Sequence, residues 1–212
     1  MKKWLAALFG ILILTPTLAL AAEEPTGYLD VLEMEWYAEA VMEMTEQGLM
    51  QGTGEGYFNP GAPVSRATVI AVLWRLEEAP EVAGEAENFP DVDAQDPVSS
   101  WYASAAAWAK SAGVASGDEK GEFHGGDPVT REQLAVFFYN YAKYKSQPVA
   151  EGAMGLFPDA ASISDWAWDA VQHAVGLGLL HGNDEGNLVP QGVADRASLA
   201  VMLQRLLTPA AG

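Results

Sequence analysis

"PVSRATV", residues 63–69, sets an arginine directly after a serine where an apolar-periodic run begins. A serine ahead of such a run reads as a helix N-cap. Arg66 therefore falls in the first turn of the predicted helix. The helix macrodipole is positive there, and a cation in that turn is unfavourable by about 0.3–1 kcal/mol. The arrangement recurs as "PVTREQL" at 128–134 and "VADRASL" at 193–199. Three arginines in the same disfavoured place call for one common reason.

A shift of 65 residues superimposes three segments of the chain. Trp36, Trp101 and Trp166 align, as do Gly48, Gly113 and Gly178, then Gly52, Gly117 and Gly182. Phe58, Phe123 and Leu188 follow, then Arg66, Arg131 and Arg196. Upstream, an aromatic-x-Asp start recurs at Asp30, Asp91 and Asp159. The only other arginines, Arg75 and Arg205, form a second column nine residues after the first. Arginine thus occupies fixed places and is not general surface charge. Self-similarity at a fixed period marks a repeat architecture.

Each repeat reads as a first helix beginning at the tryptophan, a Gly-rich loop and a second helix. In repeat 1, Trp36, Ala40, Val41 and Met44 recur at helical spacing, and Gly48 suits a left-handed C-cap. Ser65, Thr130 and Asp195 are good N-caps, and Thr130 with Gln133 is placed to close a capping box. The second helices are expected to bury Val69, Ile70, Leu73 and Leu76, then Leu134, Val136, Phe137, Phe138 and Tyr141, then Leu199, Met202, Leu203 and Leu206. Linkers are read at about 79–88 and 145–156. The repeats span 27–79, 88–144 and 156–207. One helix–loop–helix cannot cover its own apolar face. Three packed together predict one mainly helical domain with pseudo-threefold symmetry.

Lys2 and Lys3, the apolar run Trp4 to Leu20 and the Ala19-Leu20-Ala21 site read as a secretory signal peptide over 1–21. A retained membrane anchor is the alternative, because the run is near the spanning length. The chain carries a formal charge of −18, which argues against nucleic acid and anionic membrane surfaces as partners. It has no cysteine, so its core alone must hold it. The three histidines make no metal motif. The loop carboxylates Asp118, Glu119, Asp184 and Glu185 do not follow EF-hand spacing. No nucleophile motif, phosphate loop or distinguishable acid–base pair is present. The expectation is a protein without catalytic activity, cofactor or metal.

The aromatic-x-Asp start, Trp-led helix, Gly-x-x-x-Gly turn, aromatic-x-Pro loop and Thr-Arg-Ala-Glu-like helix start resemble the S-layer homology repeat. The resemblance covers roughly 27–207. It implies three helix–loop–helix repeats around a central three-helix bundle, a pseudo-threefold spindle with grooves between its prongs. It also implies non-covalent anchoring of an exported protein at the bacterial cell wall. The usual ligand is a secondary cell-wall polysaccharide, often pyruvylated, and in some members modified peptidoglycan. The residues implicated are Arg66, Arg131 and Arg196, Trp36, Trp101 and Trp166, and Asp30, Asp91 and Asp159. The alternative is a structural protein that packs with itself or with another exported envelope protein.

The chain departs from that pattern at the motif glutamate, where Thr68, Gln133 and Ser198 stand. Asp195 beside Arg196 offers an internal counter-ion, so the third site is expected to be the weakest. A helix N-terminus with an arginine fork suits a carboxylate. The other reading pairs each arginine with the early aspartate of a neighbouring repeat, as a staple. The tryptophans suit either a core position or a platform for a sugar ring. Arg75 and Arg205 sit near helix C-termini, where a cation complements the dipole.

Overall fold

A computed structural model describes residues 27–82 and 88–208. The expected signal peptide, and 83–87 of the first linker, lie outside the described residues. Among the described residues six α-helices form: α1 Ala38–Glu46, α2 Arg66–Leu76, α3 Ala103–Ser111, α4 Arg131–Tyr144, α5 Trp168–Gly176 and α6 Arg196–Leu207. Isolated bridges stand in place of strands among the described residues. No described helix is long and apolar enough to cross a membrane.

The second helices begin where the sequence places them. Ser65, Thr130 and Asp195 accept from the backbone N–H of Thr68, Gln133 and Ser198, and Thr130 with Gln133 closes the capping box. The first helices begin later than expected. Trp36 precedes α1, and Trp101 and Trp166 lie in 3-10 turns at Ser100–Tyr102 and Asp165–Ala167. No side chain caps these starts, and a tight turn leads the chain in instead. At the other end, Gly48 has φ 71°, Gly113 φ 69° and Gly178 φ 68°. Leu49 N–H donates to Met44 O and Gly48 N–H to Thr45 O, a Schellman closure repeated after α3 and α5.

Packing pairs helices from different repeats. α3 lies on α2, α5 on α4, and α1 on α6, while α2 also touches α4. The first helix of each repeat thus covers the second helix of the repeat before it, and repeat 1 closes on repeat 3. Val129 N–H donates to Val64 O, Ala194 N–H to Val129 O and Val64 N–H to Ala194 O, each at 2.9 Å. This ring of three bonds joins the segments just ahead of α2, α4 and α6. Phe58, Phe123 and Leu188 are fully buried, each contributing roughly 1.5–3 kcal/mol relative to exposure. Most of the expected core is buried, but Leu76, Val136 and Leu206 are only partly covered.

Candidate functional site

Each motif arginine crosses a repeat boundary. Arg66 Nε donates to Phe123 O at 2.7 Å and its Nη2 to Ser116 O at 3.1 Å. Arg131 does the same with Leu188 O at 2.7 Å and His181 O at 2.8 Å. Arg196 closes the cycle on repeat 1, with Phe58 O at 2.8 Å and Gln51 O at 2.6 Å. The backbone N–H groups of the same helix starts reach the same loops: Arg66 to Asp127 O, Arg131 to Gly192 O and Arg196 to Ala62 O. Neighbouring-loop carbonyls therefore satisfy orphan donors at each helix start and bind the arginine as well. A cation in the positive turn is tolerated because it faces those oxygens.

The early aspartates hold the other side of the same peptides. Asp30 accepts from the N–H of Phe58 and Asn59, Asp91 from Phe123 and His124, and Asp159 from Leu188 and Val189. Asn59, His124 and Val189 have φ of 56°, 55° and 52°. For a β-branched residue such as Val189 that conformation is strained, and the carboxylate holds it there. The staple read from the sequence thus exists in another form. Among the described residues no arginine–carboxylate ion pair forms, because both carboxylate oxygens are taken by amides.

Burial pulls the three guanidinium pKa values down, and neighbouring charge opposes it: Asp127 and Asp91 for Arg66, Asp195 and Asp159 for Arg131, Tyr28 and Asp30 for Arg196. Asp195 therefore does not neutralise Arg196, the residue beside it. Its carboxylate caps α6 through Ser198 N–H and its charge acts on Arg131. The sequence ranking of Arg196 as the weakest site loses its physical basis.

Trp36, Trp101 and Trp166 are 64, 56 and 61% exposed. They are not core residues, and each presents an indole to solvent. Trp36 lines a cavity of about 560 Å³ together with Arg131. Arg66 lines a smaller one, about 310 Å³, with Asp118, Phe123, His124 and Asp127. Trp101 and Trp166 line neither. The second arginine column stands in the last turns of α2 and α6, as expected, and each guanidinium also reaches the end of the first helix of its own repeat. Arg75 Nη1 donates to Leu49 O at 3.0 Å and Arg205 Nη1 to Leu179 O at 3.2 Å, carbonyls just past α1 and α5. In repeat 2, Asn140 makes the equivalent bond to Val114 O at 3.3 Å.

Two features escape the sequence reading. Glu132 is buried and accepts from Ser164 N at 3.0 Å, Ser164 Oγ at 2.9 Å and Gln191 Nε2 at 3.2 Å. The available signal was that a glutamate stands where the other repeats have Ala67 and Ala197. The second is a set of ligand-type atoms on Asp118, Glu122 and His124, within 4.8 Å of one another. His124 Nε2 lies 3.1 Å from Asp118 and 3.6 Å from Glu122. The bond to His124 holds the Asp118 carboxyl at about 2, and that same bond raises the imidazole pKa. Asp118 and the protonated His124 form an ion pair at the surface, with the half-exposed Glu122 beside them.

Comparison with known proteins identifies the repeat. The S-layer homology domain matches at residues 27–70, 88–135 and 156–200. The exoglucanase XynX of Acetivibrio thermocellus is 30% identical over 203 residues, 94% of this chain and 18% of that protein. The surface-layer 125 kDa protein of Lysinibacillus sphaericus is 30% identical over 172 residues, 80% of this chain and 14% of that protein. S-layer protein EA1 of Bacillus anthracis is 30% identical over 122 residues, 58% of this chain and 13% of that protein. The chain spans less than a fifth of the length of each of these relatives. With three tandem matches in the phase of its own 65-residue period, the chain belongs to the S-layer homology domain family.

Proposed function

We propose that this chain is a non-covalent anchoring module, exported and held at the bacterial cell wall. Its ligand is an anionic secondary cell-wall polysaccharide carrying a pyruvylated sugar, bound in the grooves between repeats. One observation carries this reading: at every repeat boundary a guanidinium is fixed by two carbonyls through Nε and Nη2. A pre-positioned fork of this kind leaves its Nη1 edge for a carboxylate at little entropic cost. The background charge of −18 repels most polyanions, so binding depends on these few points. The exposed indole of Trp36, which lines a cavity with Arg131, suits the apolar face of a sugar. The grooves act by recognition, and the reading assigns the chain no catalytic step, cofactor or metal.

The test is co-sedimentation of the chain without its leader with cell-wall sacculi, intact and stripped of secondary polysaccharide. Binding to intact sacculi alone is expected. Equal binding to both would remove the polysaccharide as ligand in favour of peptidoglycan. An assembly role is the second reading, favoured by the solvent-exposed run of Leu32, Met34 and Trp36, 59, 85 and 64% exposed. Light scattering separates the two, because an assembly protein grows with concentration in the absence of wall.

A further inference from the structure

The Gly-rich loop of repeat 2 carries three side chains that its sister loops lack. Asp118, Glu122 and His124 stand where repeat 1 has Thr53, Tyr57 and Asn59 and repeat 3 has Asn183, Asn187 and Val189. The backbone turn is the same in all three, since the N–H of Thr53, Asp118 and Asn183 donates to the carbonyl of Tyr57, Glu122 and Asn187. Asp118 Oδ1 accepts from the N–H of Lys120 and Glu122, just as Asn183 Oδ1 accepts from Glu185 and Asn187. Asn59, His124 and Val189 each give their N–H to the early aspartate of their own repeat. An amide at the first position and a valine at the last therefore do the structural work. The second oxygen of Asp118, the Glu122 carboxylate and the His124 imidazole are surplus to the needs of the fold.

We propose that Asp118, Glu122 and His124 form a site for a zinc-class divalent metal at the boundary between repeats 1 and 2. His124 Nε2 lies 3.1 Å from Asp118 Oδ2 and 3.6 Å from Glu122 Oε2, and the three ligand atoms lie within 4.8 Å of one another. Ligands of a tetrahedral zinc stand about 3.3–3.5 Å apart, given metal–ligand distances of about 2.0–2.2 Å. The metal takes the place of the proton between Asp118 and His124, and solvent completes the shell. An imidazole with two carboxylates suits zinc, whereas calcium takes about six to eight oxygens. Among the described residues this is the one cluster of its kind. Its loop is fixed before any metal arrives. Asp91 holds the N–H of Phe123 and His124, and Arg66 holds Phe123 O and Ser116 O. Arg66 lines the same cavity, but Asp118, Glu122 and Asp127 surround it and keep the local charge negative. A metal here braces the loop that receives Arg66, so this boundary gains a support that the other two lack. The proposal lies outside the anchoring reading, which needs no metal, and stands or falls without it.

The sister loops supply variants that keep the turn. His124→Asn installs the residue of repeat 1, and Asp118→Asn that of repeat 3. His181→Gln changes a histidine outside the cluster. The experiment is calorimetric titration of zinc chloride into the chelator-treated chain without its leader, with calcium chloride as the comparison ion and melting curves with and without metal. One zinc per chain is expected, together with a rise in Tm, because the metal binds the folded loop only. Changing a residue that merely supports a metal ligand costs about 10–100-fold in affinity. His124→Asn and Asp118→Asn, which remove ligands themselves, are each expected to lose at least tenfold and to lose the rise in Tm. His181→Gln is expected to bind like the wild type. Absence of saturable zinc binding would overturn the site. So would undiminished binding in both loop variants, which would leave only diffuse attraction to an acidic surface. Calcium binding as tightly as zinc would overturn the role of the imidazole and with it the metal class.

Discussion

At the scale of single residues, a motif arginine is a joint between repeats first. Arg131 gives Nε and Nη2 to two carbonyls of the following repeat. Lysine keeps the charge and loses the fork. Arg131→Lys is expected to cost about 1–2 kcal/mol, a fall in Tm of roughly 2–8 °C. Of the two readings the sequence offers, a fork that serves only a ligand implies no such fall and a staple between repeats implies one; a thermal melt decides. The histidines make a second residue-scale test. The bond to Asp118 raises His124 above its ordinary 6.5, and the charges of Asp118, Glu122 and Asp91 add to it. Burial lowers His173, and burial with the Arg205 charge lowers His181. An NMR titration of the imidazoles should find His124 titrating highest of the three, with Asp118→Asn removing most of its upward shift. A raised histidine stabilises below its unfolded value and loses that contribution as pH rises through its folded value. A depressed carboxylate stabilises above its unfolded value and loses that as pH falls through about 2. The pair is therefore worth most between the two ordinary values, 3.8 and 6.5.

At the scale of elements, α2, α4 and α6 were legible because their N-caps act locally, three residues along the chain. The left-handed Gly48, Gly113 and Gly178 were legible for the same reason. Gly117 carries a different constraint, since a Cβ there would stand 2.4 Å from the Gly121 backbone. The tryptophan column was visible, but its place ahead of the helices was not. A 3-10 entry turn has no side-chain signature in this sequence. The acceptors of the arginines were also hidden, because every residue has a carbonyl and only the fold selects one. Asp195 was misassigned by proximity in sequence: adjacent residues on a helix start point to different grooves. α4 offers the sharpest element-scale test. Glu132→Ala restores the residue found in the sister repeats but leaves Ser164 N–H and Oγ without their buried acceptor. The expected loss is about 1–3 kcal/mol, read from the denaturant midpoint. A neutral result would mean that Ser164 finds water instead.

At the scale of the whole molecule, closure is the organising fact. Arg196 returns to Phe58 and Gln51 across 138 and 145 residues of sequence, and the three-bond ring joins all three repeats. Each first helix depends on a second helix from the previous repeat. A chain truncated after Tyr144 loses α6, the partner of α1, together with the docking site of Arg131. It is expected to lose cooperative unfolding in urea, whereas the whole chain unfolds in one transition by fluorescence and circular dichroism. A two-repeat piece with an undiminished midpoint would contradict the cross-repeat packing. The central claim is recognition of an anionic wall glycan at a repeat boundary, and the tryptophans report on it directly. Trp36 is exposed beside Arg131, whereas Trp108 is buried. The decisive measurement is the shift of indole N–H resonances in an NMR titration with a short pyruvylated wall-glycan fragment. The account predicts saturable movement of the Trp36 signal, a stationary Trp108 signal, and loss of the Trp36 response in Arg131→Ala at retained fold. Saturable binding that leaves Trp36 unmoved would contradict it.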